Sequence, residues 1–215
     1  MITAVFDLDG TLADTLCDLA DSVEQGLAKL GFPGHPYEQY KIFVGNGVRK
    51  LCERALPENE KDKTDALHEM FTEYYAAHYL DKTVLYEGIH DALRELAGAG
   101  VKLAVATNKP QNFARKIMKA LLPDIPFMKV LGGCDERPKK PDTAIIREIL
   151  SDSGSEGKVY MIGDSNVDIM TAKNAGITSI GCTWGFRGRE ELVSAGADYI
   201  AEKASDITDI ILSRR

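Results

Sequence analysis

The sequence predicts an α/β fold, a Rossmann-like parallel sheet with helices on both faces and an inserted helical segment. Three observations predict it. From about Tyr86 to the C-terminus, short apolar runs rich in β-formers alternate with helical segments, the pattern of a parallel sheet with right-handed crossovers. One further run, Ile2 to Leu8, stands alone at the N-terminus and ends at Asp-Gly. Between these regions, from roughly Asp14 to Val84, there is no convincing strand, and apolar residues recur at helical spacing instead.

The elements follow in order. Ile2 to Leu8 reads as a strand buried on both faces. Leu16, Leu19, Val23, Leu27 and Leu30 make one apolar helix face that stops at Gly31. Val48, Leu51, Cys52 and Ala55 predict a second helix, and Leu67, Met70, Phe71 and Tyr74 a third. The charged run Glu58 to Asp65 reads as a solvated face. Gly88 to Ala99 is helical, with Ile89, Leu93 and Leu96 inward. Strands are expected at Val101–Ala106, Phe127–Leu131, Val159–Ile162, Thr178–Cys182 and Asp198–Ile200. Pro110 and Pro141 each suit the first turn of a helix. Asn166 to Ala175 and Glu190 to Ala195 are helices stopped by Gly176 and Gly196. The domains expected are an α/β core, 1–13 and 85–215, and a helical insertion, 14–84.

Composition narrows the function. The 215 residues are 44% hydrophobic and 27% charged, with a net charge of −7, which is ordinary for a globular chain and disfavours nucleic acid or an anionic membrane as partner. Cys17, Cys52, Cys134 and Cys182 form no CxxC pair, so they read as small apolar residues in a reducing compartment. The N-terminus lacks a basic signal-peptide region, and no apolar run approaches a membrane span. A cytoplasmic protein, monomeric or weakly dimeric, is expected.

Ligands of an open parallel sheet sit at the C-terminal edge of its strands. The polar residues there are Asp7, Asp9 and Thr11, then Thr107, Asn108 and Lys109, then Lys139 and Lys140, then Asp164, Ser165 and Asp168. Asp7 and Asp9, two apart, share a side on a regular strand, and Gly10 permits a sharp turn beyond. This set suits phosphoryl transfer from a monoester. Clustered carboxylates bind a hard cation such as Mg²⁺. A lysine cancels further charge on the phosphate. A carboxylate can serve as nucleophile, and a second one can move the proton.

Asp7-Leu8-Asp9-Gly10-Thr11-Leu12 resembles the first motif of the haloacid dehalogenase superfamily in its phosphatase form. Thr107-Asn108-Lys109 resembles the second, Lys140-Pro141 the third, and Gly163-Asp164-Ser165-Asn166-Val167-Asp168 the fourth. Many relatives continue the third motif as Lys-Pro-x-Pro; here it runs Lys140-Pro141-Asp142-Thr143. The resemblance implies that the insertion is a helical cap. It implies Asp7 as nucleophile and metal ligand, and Asp9 as general acid and base that also lends its backbone carbonyl to the metal. Thr107 is implied to bind the phosphoryl group, with Asn108 beside it as a further substrate-binding residue, Lys140 to neutralise charge, Asp164 to ligate the Mg²⁺, and Asp168 to support the metal site through a metal-bound water or through Lys140.

Within the superfamily, Phe43 to Leu51 and Thr183-Trp184-Gly185-Phe186-Arg187 resemble phosphoglycolate phosphatases and near relatives. Asn46 is then expected on a substrate-facing loop, with Arg49 as clamp for a substrate carboxylate. The expected enzyme is a Mg²⁺-dependent phosphoric monoester hydrolase acting on a small phosphorylated metabolite. The alternatives are a nucleotidase, a pyrophosphatase or a phosphomutase using the same nucleophile. Asp9 speaks against carbon–halogen cleavage.

Overall fold

The computed structural model describes residues 1–151 and 157–213. In chain order the elements are β1 (Ile2–Phe6), β2 (Ala13–Asp14), α1 (Leu16–Leu30), α2 (Tyr37–Phe43), α3 (Val48–Ala55), a 3₁₀ turn (Glu58–Lys63), α4 (Thr64–His78), β3 (Val84–Leu85), α5 (Ile89–Gly98), β4 (Lys102–Pro110) and α6 (Gln111–Leu121). Then come β5 (Phe127–Gly133), α7 (Ala144–Ser151), β6 (Lys158–Gly163), α8 (Asn166–Ala175), β7 (Thr178–Cys182), α9 (Gly188–Ser194), β8 (Tyr199–Ala201) and α10 (Ala204–Leu212). No helix among the described residues is long and apolar enough to cross a membrane.

Six strands form one parallel sheet in the order β5-β4-β1-β6-β7-β8. This is the Rossmann-like α/β architecture. The chain winds outward from β1 through β4 to β5, then returns to the other side of β1 as β6. That reversal leaves a crevice beyond the C-terminal ends of β1 and β6. Phe6 is level with Val105 and Ile162 in its neighbours, so the residues after all three strands emerge together.

Strand alternation divides the core between the sheet's faces. Ala4, Phe6, Leu103, Val105, Tyr160 and Ile162 pack with α5, α6 and α10. Val5, Ala104, Ala106 and Met161 pack with α7 and α8. The helices between β2 and β3 bury a separate apolar cluster around Leu19, Val23, Tyr40, Leu51, Leu67, Phe71 and Tyr75. α1 ends where Gly31 turns left-handed at φ 78° and its N–H reaches back to the Ala28 carbonyl, a position that costs a side-chain-bearing residue steric strain.

The structure departs from sequence expectation at four places. β1 stops at Phe6, because Leu8 O accepts the N–H groups of Thr11, Leu12 and Ala13 in a tight loop. The stretch expected to lack strands contributes to a small antiparallel ribbon, Ala13 with Leu85 and Asp14 with Val84, at the roots of the insertion. α2 is too short to show a helical period in sequence, since Tyr37 and Ile42 are exposed and only Tyr40 and Phe43 are buried. Pro141 does not open a helix. It lies in a turn closed by Asp142 N–H to Lys139 O, and Asp142 Oδ1 then accepts from Ala144 N–H at the start of α7.

Candidate active site

The site is built on the switch crevice. The Asp7 N–H donates to Ile162 O at 2.9 Å, so the first residue beyond β1 is tied to β6. Its carboxylate is buried, and Oδ1 lies 3.1 Å from Lys140 Nζ. That contact lacks hydrogen-bond alignment, and Oδ1 has no other partner. Lys140 Nζ donates to Asp168 Oδ1 at 2.6 Å. Asp168 sits in the first turn of α8, where its Oδ2 accepts from Ser165 Oγ at 2.7 Å and Ser165 N–H at 3.2 Å, closing a capping box. Asp164 is held by Phe186 N–H on Oδ2 at 2.7 Å and by a long contact from Thr11 Oγ1 at 3.4 Å.

Close packing fixes Asp164 further. A Cβ on Gly10, whose φ is 83°, would stand 2.3 Å from Asp164 Oδ2, and one on Gly185 would stand 2.2 Å from Asp164 Cβ. Both positions therefore require glycine if the carboxylate is to stay where it is.

Electrostatics follow from burial. The Asp7 carboxyl is pushed up to about 6, chiefly by burial, with Lys140 opposing and Asp168 and Asp9 reinforcing the rise. Burial raises Asp164 well above the carboxylate range too, helped by Asp168 and Asp7. At Lys140 burial works against the charge, but Asp168 and Asp7 outweigh it and the net direction is up. A buried set in which carboxylates outnumber ammoniums stays ionised only if another cation joins it. One oxygen from each of Asp7, Asp164 and Asp168 lies within 4.8 Å of the others. The all-oxygen donor set and the unpartnered Asp7 Oδ1 fit a hard divalent cation.

Asp9 stands apart from that trio. Its Oδ1 accepts from Thr15 Oγ1 at 2.7 Å and from Lys109 Nζ at 2.9 Å, and the side chain lines the pocket outside the carboxylate trio. Both oxygens of Asp168 are likewise engaged, by Lys140 and Ser165. Thr107 lines the pocket between core and insertion, together with Asp7, Asp9, Asp164, Tyr75, Val48, Leu51, Phe186 and Arg187.

Two expected substrate contacts lie away from the pocket, and a third is engaged by backbone. Arg49 is on the outer side of α3, with Nε on Asp65 Oδ1 at 2.9 Å, because Val48, Leu51, Cys52 and Ala55 claim the inner side. Asn46 accepts from Arg54 at 2.7 Å and does not line the pocket. Asn108 lines it, but its amide is spent on backbone: Nδ2 donates to Gly45 O at 3.0 Å and Lys140 O at 3.1 Å, and Oδ1 accepts from Lys140 N–H at 2.8 Å. The sequence reading gave no role to Lys109, Tyr75 or Arg187. For Lys109 a signal was present, since β4 continues to Pro110 and residues 107 and 109 share one side of it.

The chain belongs to the haloacid dehalogenase-like hydrolase family, whose sequence model matches residues 4–182. It is an enzyme, a phosphatase-type hydrolase by the company it keeps. A phosphoglycolate phosphatase of Vibrio parahaemolyticus is 34% identical over 214 residues, covering 96% of this chain and 94% of that protein. One from Psychrobacter arcticus is 34% identical, with 97% and 94% covered. Among solved structures, a candidate phosphoglycolate phosphatase from Lactobacillus delbrueckii subsp. bulgaricus superposes with a TM-score of 0.91 at 29% identity, covering 97% of each chain.

Proposed function

We propose that this chain is a Mg²⁺-dependent phosphatase that hydrolyses a small phosphorylated metabolite of the phosphoglycolate kind through an aspartyl-phosphate on Asp7. The observation that carries the proposal is the buried Asp7 carboxylate, open to the pocket on one side and braced by Lys140 at 3.1 Å on the other. The relatives named phosphoglycolate phosphatase support the substrate class.

In this reading Asp7 and Asp164, with Asp168 beside them, would hold Mg²⁺, which when bound would supply the positive charge that lets a carboxylate approach a phosphate dianion. Asp7 attacks phosphorus, and the bond from phosphorus to the ester oxygen breaks. Asp9 gives its proton to the departing alkoxide. Water then attacks the same phosphorus, Asp9 takes back a proton, and the bond to Asp7 breaks, releasing phosphate and restoring the carboxylate. Thr107 donates to a phosphoryl oxygen, and Lys140 offsets charge shared between Asp7 and the phosphoryl group. Segment 14–84 acts as a cap domain over the core 1–13 and 85–215, excluding bulk water once substrate is bound.

A phosphate-release screen over phosphoglycolate, pyrophosphate, nucleotides and sugar phosphates tests this reading. Mg²⁺-dependent release is expected, strongest for phosphoglycolate, with Asp7→Asn at background. Full activity of Asp7→Asn, or of protein stripped of metal, would overturn the mechanism.

A further inference from the structure

The loop after β7 meets the site at three consecutive residues. Phe186 N–H holds Asp164 Oδ2 at 2.7 Å. Gly185 is packed so closely that a Cβ there would stand 2.2 Å from Asp164 Cβ and 2.3 Å from the Gly10 carbonyl oxygen. Trp184 reaches further, and its Nε1–H donates to the Thr11 carbonyl at 3.1 Å. Thr11 in turn directs its hydroxyl at Asp164 Oδ1, 3.4 Å away. Residues 10–11 and residues 184–186 therefore enclose the Asp164 carboxylate, one segment on each oxygen, and the indole bond ties the two segments together.

The Thr11 carbonyl depends on that bond. Thr11 is fully buried, and among the described residues no backbone N–H donates to its oxygen. A buried carbonyl left without a donor is costly. An indole has one N–H and no acceptor, so Trp184 spends its whole polar capacity here. Packing alone does not fix the ring. Trp184 is half-buried, and it lines a cavity of about 690 Å³ together with Tyr86, whose ring centre is 6.4 Å away, and residues of α5 and α10. A ring with open space beside it can turn, and the bond to Thr11 opposes that turn.

We propose that Trp184 is a positioning residue for the metal site. By holding the Thr11 carbonyl it keeps Gly10 and the Thr11 hydroxyl against Asp164, and so keeps that carboxylate where it can share a cation with Asp7. This rests on the reading of Asp7 and Asp164 as Mg²⁺ ligands. Linkage makes the effect reciprocal: a contact that strengthens Mg²⁺ binding is itself strengthened when Mg²⁺ binds.

Trp184 is the sole tryptophan of the chain, so its fluorescence reads the contact without a label. Adding Mg²⁺ to EDTA-treated protein should change the emission saturably, over the same concentrations that raise Tm. In Asp164→Asn the emission should no longer respond. Trp184→Phe keeps an aromatic ring and removes the N–H. Its Mg²⁺ dissociation constant, from calorimetry or from the rise in Tm, should increase roughly three- to tenfold, the worth of one hydrogen bond. Tyr86→Leu loosens the same indole from a neighbour and leaves the Thr11 bond alone; it should lower Tm and keep the wild-type dissociation constant. Equal weakening of Mg²⁺ by both variants would show that packing sets the site, and would overturn the proposal. So would Trp184→Phe with wild-type affinity, an emission response that survives in Asp164→Asn, or wild-type emission that stays constant while Mg²⁺ raises Tm. Wild-type protein in which neither emission nor Tm responds to Mg²⁺ fails the metal reading as well.

Discussion

Lys140 Nζ donates to Asp168 Oδ1 across 2.6 Å, and both side chains are almost wholly buried, at 1% and 0% exposed. A buried pair of this kind is costly to break from one side, because the survivor keeps its charge without its partner, at about 3–5 kcal/mol. Lys140→Met should lose roughly that much in urea unfolding and release no phosphate. Adding Asp168→Asn should restore part of the stability, since the orphaned charge disappears, while activity stays absent. A double-mutant cycle in which the two losses simply add would refute the coupling.

Gly10→Ala probes the other wall of the site. The new Cβ would stand 2.3 Å from Asp164 Oδ2, at a backbone φ of 83°. The left-handed backbone alone costs about 1–2 kcal/mol, and Asp164 must move to make room. The Mg²⁺ concentration for half-maximal activity should rise about tenfold or more, since a displaced ligand costs at least about 1.4 kcal/mol, and Tm should fall. A variant with wild-type metal response would show that Asp164 is free to shift without consequence.

Much of this geometry was legible before any coordinates. Asp7, Thr107 and Asp164 each follow an apolar run, and parallel strands deliver such residues to one edge. The core strands were readable because Val5, Ala104 and Met161 sit in runs buried on both faces. The insertion was harder. α2 is seven residues long and carries apolar residues on both its buried and its exposed side, so no period emerges. Arg49 was misplaced because spacing tells that it neighbours Val48, but not which side of α3 meets the pocket. Lys109 was placed at the sheet edge but given no role, because its partner Asp9 lies a hundred residues earlier in the chain, and pairing at that distance depends on the fold. Arg187 was quoted only as part of a motif, since its acceptors are backbone carbonyls, which leave no trace in sequence.

Metal binding should depend on pH in a definite direction. With no metal, Asp7 holds its proton up to about 6, whereas the unfolded chain loses it near the ordinary aspartate value of 3.8. Between those values the folded state binds more protons, so its stability falls as pH rises through that window. Asp164, raised by burial beside Asp168 and Asp7, extends the trend upward. Mg²⁺ needs the ionised carboxylates and competes with those protons. The rise in Tm on adding Mg²⁺ to EDTA-treated protein should therefore be small at pH 5 and grow through pH 6 to 7.5. A shift independent of pH, or one that Asp7→Asn leaves unaltered, would separate these carboxylates from the metal.

Arg187 ties the insertion to the core. From the loop after β7 its Nη2 donates to Ile42 O at 2.9 Å and Val44 O at 2.8 Å, the carbonyls at the C-terminal end of α2. A cation there also meets the negative end of the helix. The same loop is held from a second side by Asn108, whose Nδ2 reaches Gly45 O at 3.0 Å while its other bonds fix the Lys140 backbone. Each charge-assisted bond is worth about 1.5–3 kcal/mol when fully made, and water recovers part of that at this partly open position. If the insertion works as the proposed cap, Arg187→Ala should loosen it over the pocket and lower kcat/KM for the best substrate about tenfold, through KM more than kcat. Arg187→Lys, with a single point donor in place of a fork, should recover only part of the loss. Limited proteolysis gives a reading independent of turnover: cleavage between Gly31 and Gly47 should speed up in Arg187→Ala and slow again when substrate is added to Asp7→Asn/Arg187→Ala, which binds without turning over. If cleavage and KM both match wild type, Asn108 and Arg54 secure the loop without Arg187.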